Sequence, residues 1–183
     1  MKLTTVTKIS ILNGLFLILL TLMEFLGIIK FHLIFSYNIH KLLHLTGVML
    51  FMGNMIVGPI WFSFAYYSKN KDLLNFANKL LQITDIYVTI PSMALTIING
   101  LFLASIFGGS RNQTWTYYSV LSLFLMWILS IPLIYLQEKL YTTIELEQDN
   151  ETKIKKYLYY WGLLGTIVML PPSLIFYLMI VKG

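Results

Sequence analysis

The chain has no cysteine among its 183 residues. Neither a disulfide framework nor a thiolate metal site is therefore available, and redox chemistry would need a borrowed cofactor. Charge is scarce as well: charged residues make up 11% of the chain, where an ordinary soluble domain carries roughly a quarter. Imidazole is limited to His32, His40 and His44, so a three-histidine metal centre would consume all of it. No internal repeat and no low-complexity tract interrupts the chain, which reads as one domain over residues 1–183.

Apolar residues fill the space that charge leaves. The chain is 57% hydrophobic with a mean hydropathy of +0.74, and the apolar residues fall into runs of about twenty or more, enough to cross a hydrocarbon core of roughly 30 Å. Five spans are expected, at about 9–29, 37–67, 83–107, 116–136 and 157–181. The fold class is all-α: a polytopic membrane helix bundle of five transmembrane helices, an N-terminal anchor plus a four-helix bundle. The first run follows Lys2 and Lys8 as a signal peptide would, but no small-x-small cleavage site follows it, so it reads as an anchor. Ser68 to Gln82 reads as a polar loop, solvated or with an amphipathic turn on the membrane surface, and Gly108 to Trp115 as a tight polar turn. The fourth span is expected to continue as an exposed helix from Gln137 to Lys156. Tyr157, Tyr159, Tyr160 and Trp161 form an aromatic belt at the entrance to the fifth.

The net charge of +5 does not indicate nucleic acid, because the basic residues sit at the ends of apolar runs. Nine of the thirteen (Lys2, Lys8, Lys69, Lys71, Lys79, Lys139, Lys153, Lys155, Lys156) fall on the side shared by the N-terminus, the second loop and the fourth loop. The remaining four are Lys30, Lys41, Arg111 and Lys182. By the positive-inside rule this predicts a cytoplasmic N-terminus and an external C-terminus, in a bacterial inner membrane whose lipid is the principal partner.

Two spans carry polar seams. Stepping by fours and threes through Tyr37 to Tyr67 meets His40, His44, Gly47, Phe51, Asn54 and Gly58 along one side of a helix. In the third span Asp85, Thr89, Ser92, Thr96 and Asn99 do the same. Such stripes must face protein or water rather than lipid. His40 and His44 lie one turn apart and could share a cation with Glu24 of the first span as third ligand. A b-type haem asks for less: His44 as an axial ligand, Met93 as a second through its thioether, and Gly47 and Gly100 as clearance for the macrocycle. Glu24 at comparable depth would orient the imidazole or act as a proton-relay carboxyl. Asp85 reads as the cap of the third span.

The segment LLHLTGVMLFMG from Leu42, the segment DIYVTIPSMALTIINGLFLA from Asp85 and the ending YLMIVKG resemble bacterial predicted integral membrane proteins related to HemJ-type protoporphyrinogen oxidase and the CopD copper-resistance domain. The resemblance covers the last four spans. It rests on His44, Gly53, Asp85, Pro91, Gly100, Met179 and Lys182, and the spacing of Pro91, Met93, Thr96 and Gly100 looks like the pattern of the oxidase branch. It implies haem b, with His44 in the place of that branch's histidine, and, if the chain is an enzyme, a membrane oxidoreductase with an electron-transfer partner. The asparagine and glutamate of that branch before the last helix are missing; Leu170, Pro171 and Pro172 stand there instead. The alternative is a non-enzymatic membrane subunit or transporter-like protein whose polar seams bind a partner or line a path, without haem. A homo-oligomer is compatible with either.

Overall fold

The computed structural model describes residues 3–146 and 150–181; Lys2 and Lys182 lie outside the described residues. Among the described residues all regular structure is helical. The helices are α1 (Thr5–Phe25), α2 (Tyr37–Tyr67), α3 (Lys71–Thr84), a π-helical turn (Asp85–Thr89), α4 (Ile90–Ser105), α5 (Thr114–Leu146), α6 (Glu151–Val168) and α7 (Leu170–Val181). Five helical stretches are long and apolar enough to cross a membrane: α1, α2, Lys71–Ser105, α5 and Glu151–Val181. The chain is an all-α polytopic membrane bundle.

The first span lies four residues before its expected position. Thr4 caps α1, its side chain accepting from the Thr7 amide, and the helix ends at Phe25. Gly27 then takes φ +74°, a left-handed conformation open to glycine at no steric penalty. Ser68 to Gln82 is not a loop. Asn70 caps α3 by accepting from the Asp72 and Leu73 amides at 3.0 and 3.1 Å, and Leu74, Ala77, Asn78 and Leu81 bury one face at helical spacing. The charges at Lys71, Asp72 and Lys79 mask this amphipathic stripe.

α5 is 33 residues long, about 50 Å at 1.5 Å per residue, so it outruns a core of roughly 30 Å. Its far end is not exposed, contrary to expectation: Glu138, Leu140, Tyr141, Thr143 and Ile144 are all buried. Leu140, Tyr141 and Ile144 pack with Phe62, Ala65, α3 and Ile154 into one apolar cluster. A second cluster, around Leu17, Ile97, Leu101, Met126, Trp127 and Val168, fills the other part of the bundle. Trp161 belongs to the first cluster and is buried, so it is not part of an interfacial belt, whereas Tyr159 and Tyr160 are exposed. The fifth span breaks at Met169, directly before Pro171 and Pro172, which bring no amide donors to continue α6.

Helix α2 packs chiefly on α4. Gly47 makes the approach possible: a Cβ there would lie 2.5 Å from Thr96 Oγ1, 2.8 Å from the Ser92 carbonyl oxygen and 2.8 Å from the Thr96 nitrogen. The two polar seams read from the sequence face each other across this contact.

Two buried carboxylates hold α1 in place. At its start, Glu138 of α5 accepts from the Thr4 amide at 2.9 Å and from the hydroxyls of Thr4 and Thr7 at 2.7 and 2.5 Å. At its end, Glu24 accepts from the Ser110 amide at 2.9 Å and from the Ser110 hydroxyl. Gly109, at φ +111°, leaves room for the Glu24 carboxylate, which would sit 3.1 Å from a Cβ.

Candidate functional site: an intramembrane cavity floored by Asp85

The structure separates the expected site residues. His40 is fully engaged. Its Nε2 accepts from the Phe35 amide at 3.2 Å, which requires that Nδ1 carry the proton and donate to Asn99 Oδ1 at 2.8 Å. Asn99 in turn donates to the Leu95 carbonyl. With both nitrogens used, His40 ties the α1–α2 connection to α4 and has no lone pair left for a metal. Glu24 is occupied by Ser110 and does not orient His44. Among the described residues no three histidine, aspartate or glutamate side chains form a group able to hold a metal ion, so His40, His44 and Glu24 are not brought together as ligands.

His44 and Met93 do line one cavity, with Val48, Met52, Met126 and Met179, but its volume is about 90 Å³. The His44 Nδ1 donates to the Thr96 carbonyl at 2.7 Å, and Nε2 has no hydrogen-bond partner among the described residues. Gly47 and Gly100 do not leave space for a macrocycle. The backbone of α4 fills the room at Gly47, and the His44 ring fills it at Gly100, 3.2 Å from where a Cβ would be.

The larger cavity, about 480 Å³, lies where the two apolar clusters meet and is walled by α1, α2, the π turn, α5 and α6. Phe51, Met93 and Met126 separate it from the cavity at His44 by lining both. At its polar end is Asp85. This residue does not cap the third span but opens the π turn inside it, where the Ile90 amide reaches back five residues to the Asp85 carbonyl. Pro91 follows at once. Proline has no amide to give and crowds the carbonyl four residues earlier, at Tyr87, so a widened turn there relieves the helix.

Three neutral donors converge on the Asp85 carboxylate. The Tyr141 hydroxyl donates to Oδ2 at 2.8 Å, the Gln137 amide donates to the same oxygen, and Thr89 donates to Oδ1 at 3.2 Å. Asn54 of α2 supports Thr89 with a 2.7 Å bond to its hydroxyl, and the Trp161 indole N–H reaches Gln137 Oε1 at 3.4 Å. One carboxylate thus gathers α2, α5 and α6 around a π turn, a local geometry that recurs at functional sites. Trp127 also lines the cavity, and its buried indole N–H has no partner among the described residues.

A family model described as predicted integral membrane protein (DUF2269) matches residues 38–183. The chain belongs to that family. In this DUF2269 protein the match takes in Asp85, Gln137, Tyr141, Trp127 and Trp161, while α1, which supplies Thr7, Ser10, Asn13 and Gly14 to the cavity wall, precedes it. No curated protein and no solved structure matches the chain.

The seams in the sequence contain Asp85, Thr89 and Asn54, whereas Gln137, Tyr141 and Trp161 fall where the sequence predicts an exposed helix and an aromatic belt. A signal for two of them exists: Ser130, Leu133, Ile134, Gln137 and Tyr141 recur at steps of three, one, three and four along α5, one face of a helix, and all five line the cavity.

Proposed function

We propose that this integral membrane protein is a non-enzymatic binding or transporter-like protein that holds a small, mostly apolar molecule in the intramembrane cavity, with its polar end on Asp85. The observation that carries this reading is a carboxylate with only neutral partners, set at the end of a cavity of about 480 Å³. Ligand sites typically enclose about 300–1,000 Å³, apolar over most of their wall with a few convergent polar groups, and an ionisable side chain inside a membrane bundle is costly unless it has a task. The lysine bias supports placing the Asp85 end toward the cytoplasm of a bacterial inner membrane.

Gly165 gives a direct test. It lines the cavity, and a Cβ added there would meet nothing within 4 Å. Gly165→Leu is expected to take up part of the cavity, with no clash at its Cβ. It should keep or raise stability by up to about 1 kcal/mol through the better helix propensity of leucine and weaken quenching of tryptophan fluorescence by a small apolar probe such as triphenylphosphine oxide. Undiminished quenching in that variant would refute the reading.

A second reading, haem b on His44 with Met93 opposite, is supported by the resemblance to HemJ-type oxidases and by one observation. A metal-bound histidine characteristically donates its other ring nitrogen to a carbonyl or carboxylate, as His44 does to Thr96. The space does not fit the group: about 90 Å³ around the ring is well under the roughly 300 Å³ at which cofactor sites begin. Protein purified from haem-replete cells is therefore expected to lack a Soret band. A band that vanishes in His44→Ala would reverse the order of the two readings.

A further inference from the structure

We propose that the cavity selects a lipophilic organic cation, with the positive charge against Asp85 and the apolar body along Phe51, Trp127 and Trp161. This inference rests on the binding reading above and adds the charge and class of the ligand.

The partners of Asp85 supply hydrogen bonds but no charge. Thr89, Tyr141 and Gln137 are neutral, and no lysine, arginine or histidine is among its partners in the described residues. Two of the donors are themselves held in place: the Thr89 hydroxyl accepts from Asn54, and Gln137 Oε1 accepts from the Trp161 indole N–H. The carboxylate is therefore oriented in advance, and a cavity with low-dielectric walls focuses its negative field on whatever occupies it. An anion is repelled there, and a neutral guest leaves the charge uncompensated.

The remaining wall discriminates among cations. An inorganic ion such as calcium or magnesium takes about six or more oxygen ligands, whereas Asp85 is the one carboxylate lining a cavity otherwise rich in methionine, leucine and isoleucine. A volume of about 480 Å³ suits an organic body. Trp127 and Trp161, both buried, and the partly buried Phe51 line the cavity, and aromatic faces attract desolvated cations through their quadrupoles. The unpartnered Trp127 N–H is a second polar station, able to donate to an acceptor on the guest.

Tetraphenylphosphonium and tetraphenylborate share a shape and differ in the sign of their charge; triphenylphosphine oxide is a neutral aromatic relative. Their saturable binding to the full chain in phosphatidylcholine nanodiscs, corrected for empty discs, decides the matter. Tetraphenylphosphonium is expected to bind at least tenfold more tightly than triphenylphosphine oxide, and tetraphenylborate not at all. Asp85→Asn should weaken the cation at least tenfold and leave the neutral compound unchanged, and Asp85→Glu should restore part of the loss. Should Asp85→Asn not yield monodisperse protein, the wild-type ranking and Asp85→Glu decide alone. Equal binding of cation and neutral compound, or no cation loss in Asp85→Asn, overturns the charge selection and leaves the cavity reading standing. Saturable binding of none of the three overturns both.

Discussion

Glu138→Ala is expected to lower the unfolding free energy by about 3 kcal/mol, read as a shift in equilibrium unfolding by dodecyl sulfate in mixed micelles. The carboxylate is 1% exposed and accepts three bonds, from the Thr4 amide and from the hydroxyls of Thr4 and Thr7. A hydrogen bond to a charged group contributes about 1.5–3 kcal/mol, and each buried donor left without a partner costs about 1–3 kcal/mol; the losses overlap because all three donors belong to one turn. The carboxylate also lies at the positive end of α1, where a negative charge is favoured. Glu138→Gln keeps one acceptor oxygen and should lose about half as much. If both variants unfold as the wild type does, the clamp at the start of α1 contributes nothing.

Gly47→Leu is expected to destabilise the bundle by about 1–3 kcal/mol or more, the range for forcing extra atoms into a packed interior. Two of the three atoms that a Cβ would meet, the Ser92 oxygen and the Thr96 nitrogen, belong to the backbone of α4. They cannot rotate away, so α2 and α4 must separate. Gly53 on the same helix is the control, since a Cβ there meets nothing within 4 Å, and Gly53→Leu should keep or slightly raise the unfolding midpoint. Equal effects at the two positions would show that close approach of α2 and α4 is not what Gly47 provides.

These two residues illustrate what could be read from the chain. Gly47 was legible because helical periodicity places it with His40, His44 and Asn54 on one face, and a face of small and polar residues in an apolar helix must meet protein. The same periodicity exposed the stripe from Asp85 to Asn99 that packs against it. Glu138 was not legible: it lies in a stretch dense with charge, and nothing local indicates that its partners come from residues 4 and 7. The same holds for Glu24. Depth along the first span placed it near His44, but its partner is the loop at Ser110, a choice made by the lateral arrangement of helices that no single helix encodes.

The candidate site was lost for a related reason. Hydropathy marks where a helix leaves the hydrocarbon, and Gln137 and Tyr141 lie past that point, so they read as solvated. In the folded chain α3, the end of α5 and the start of α6 pack with the end of α2 into one apolar cluster that buries that region. Asp85, at the seam between the two apolar clusters, then becomes an interior residue. Pro91 hinted at an irregular helix, but that the widened turn would open at a carboxylate met by Tyr141 and Gln137 is set by the packing of α5 against it.

The clamps on α1 also order the protein's synthesis. The first helix emerges earliest, yet its fastenings are 134 residues later at Glu138 and 86 residues later at Ser110. The end of α1 has no donor until Ser110 is made and its start has no acceptor until Glu138 is made, so the segment must wait in the bilayer as a loose rod. The helix written first is locked at both ends only once most of α5 exists, and ribosome stalling before residue 138 should leave it easily captured by membrane chaperones.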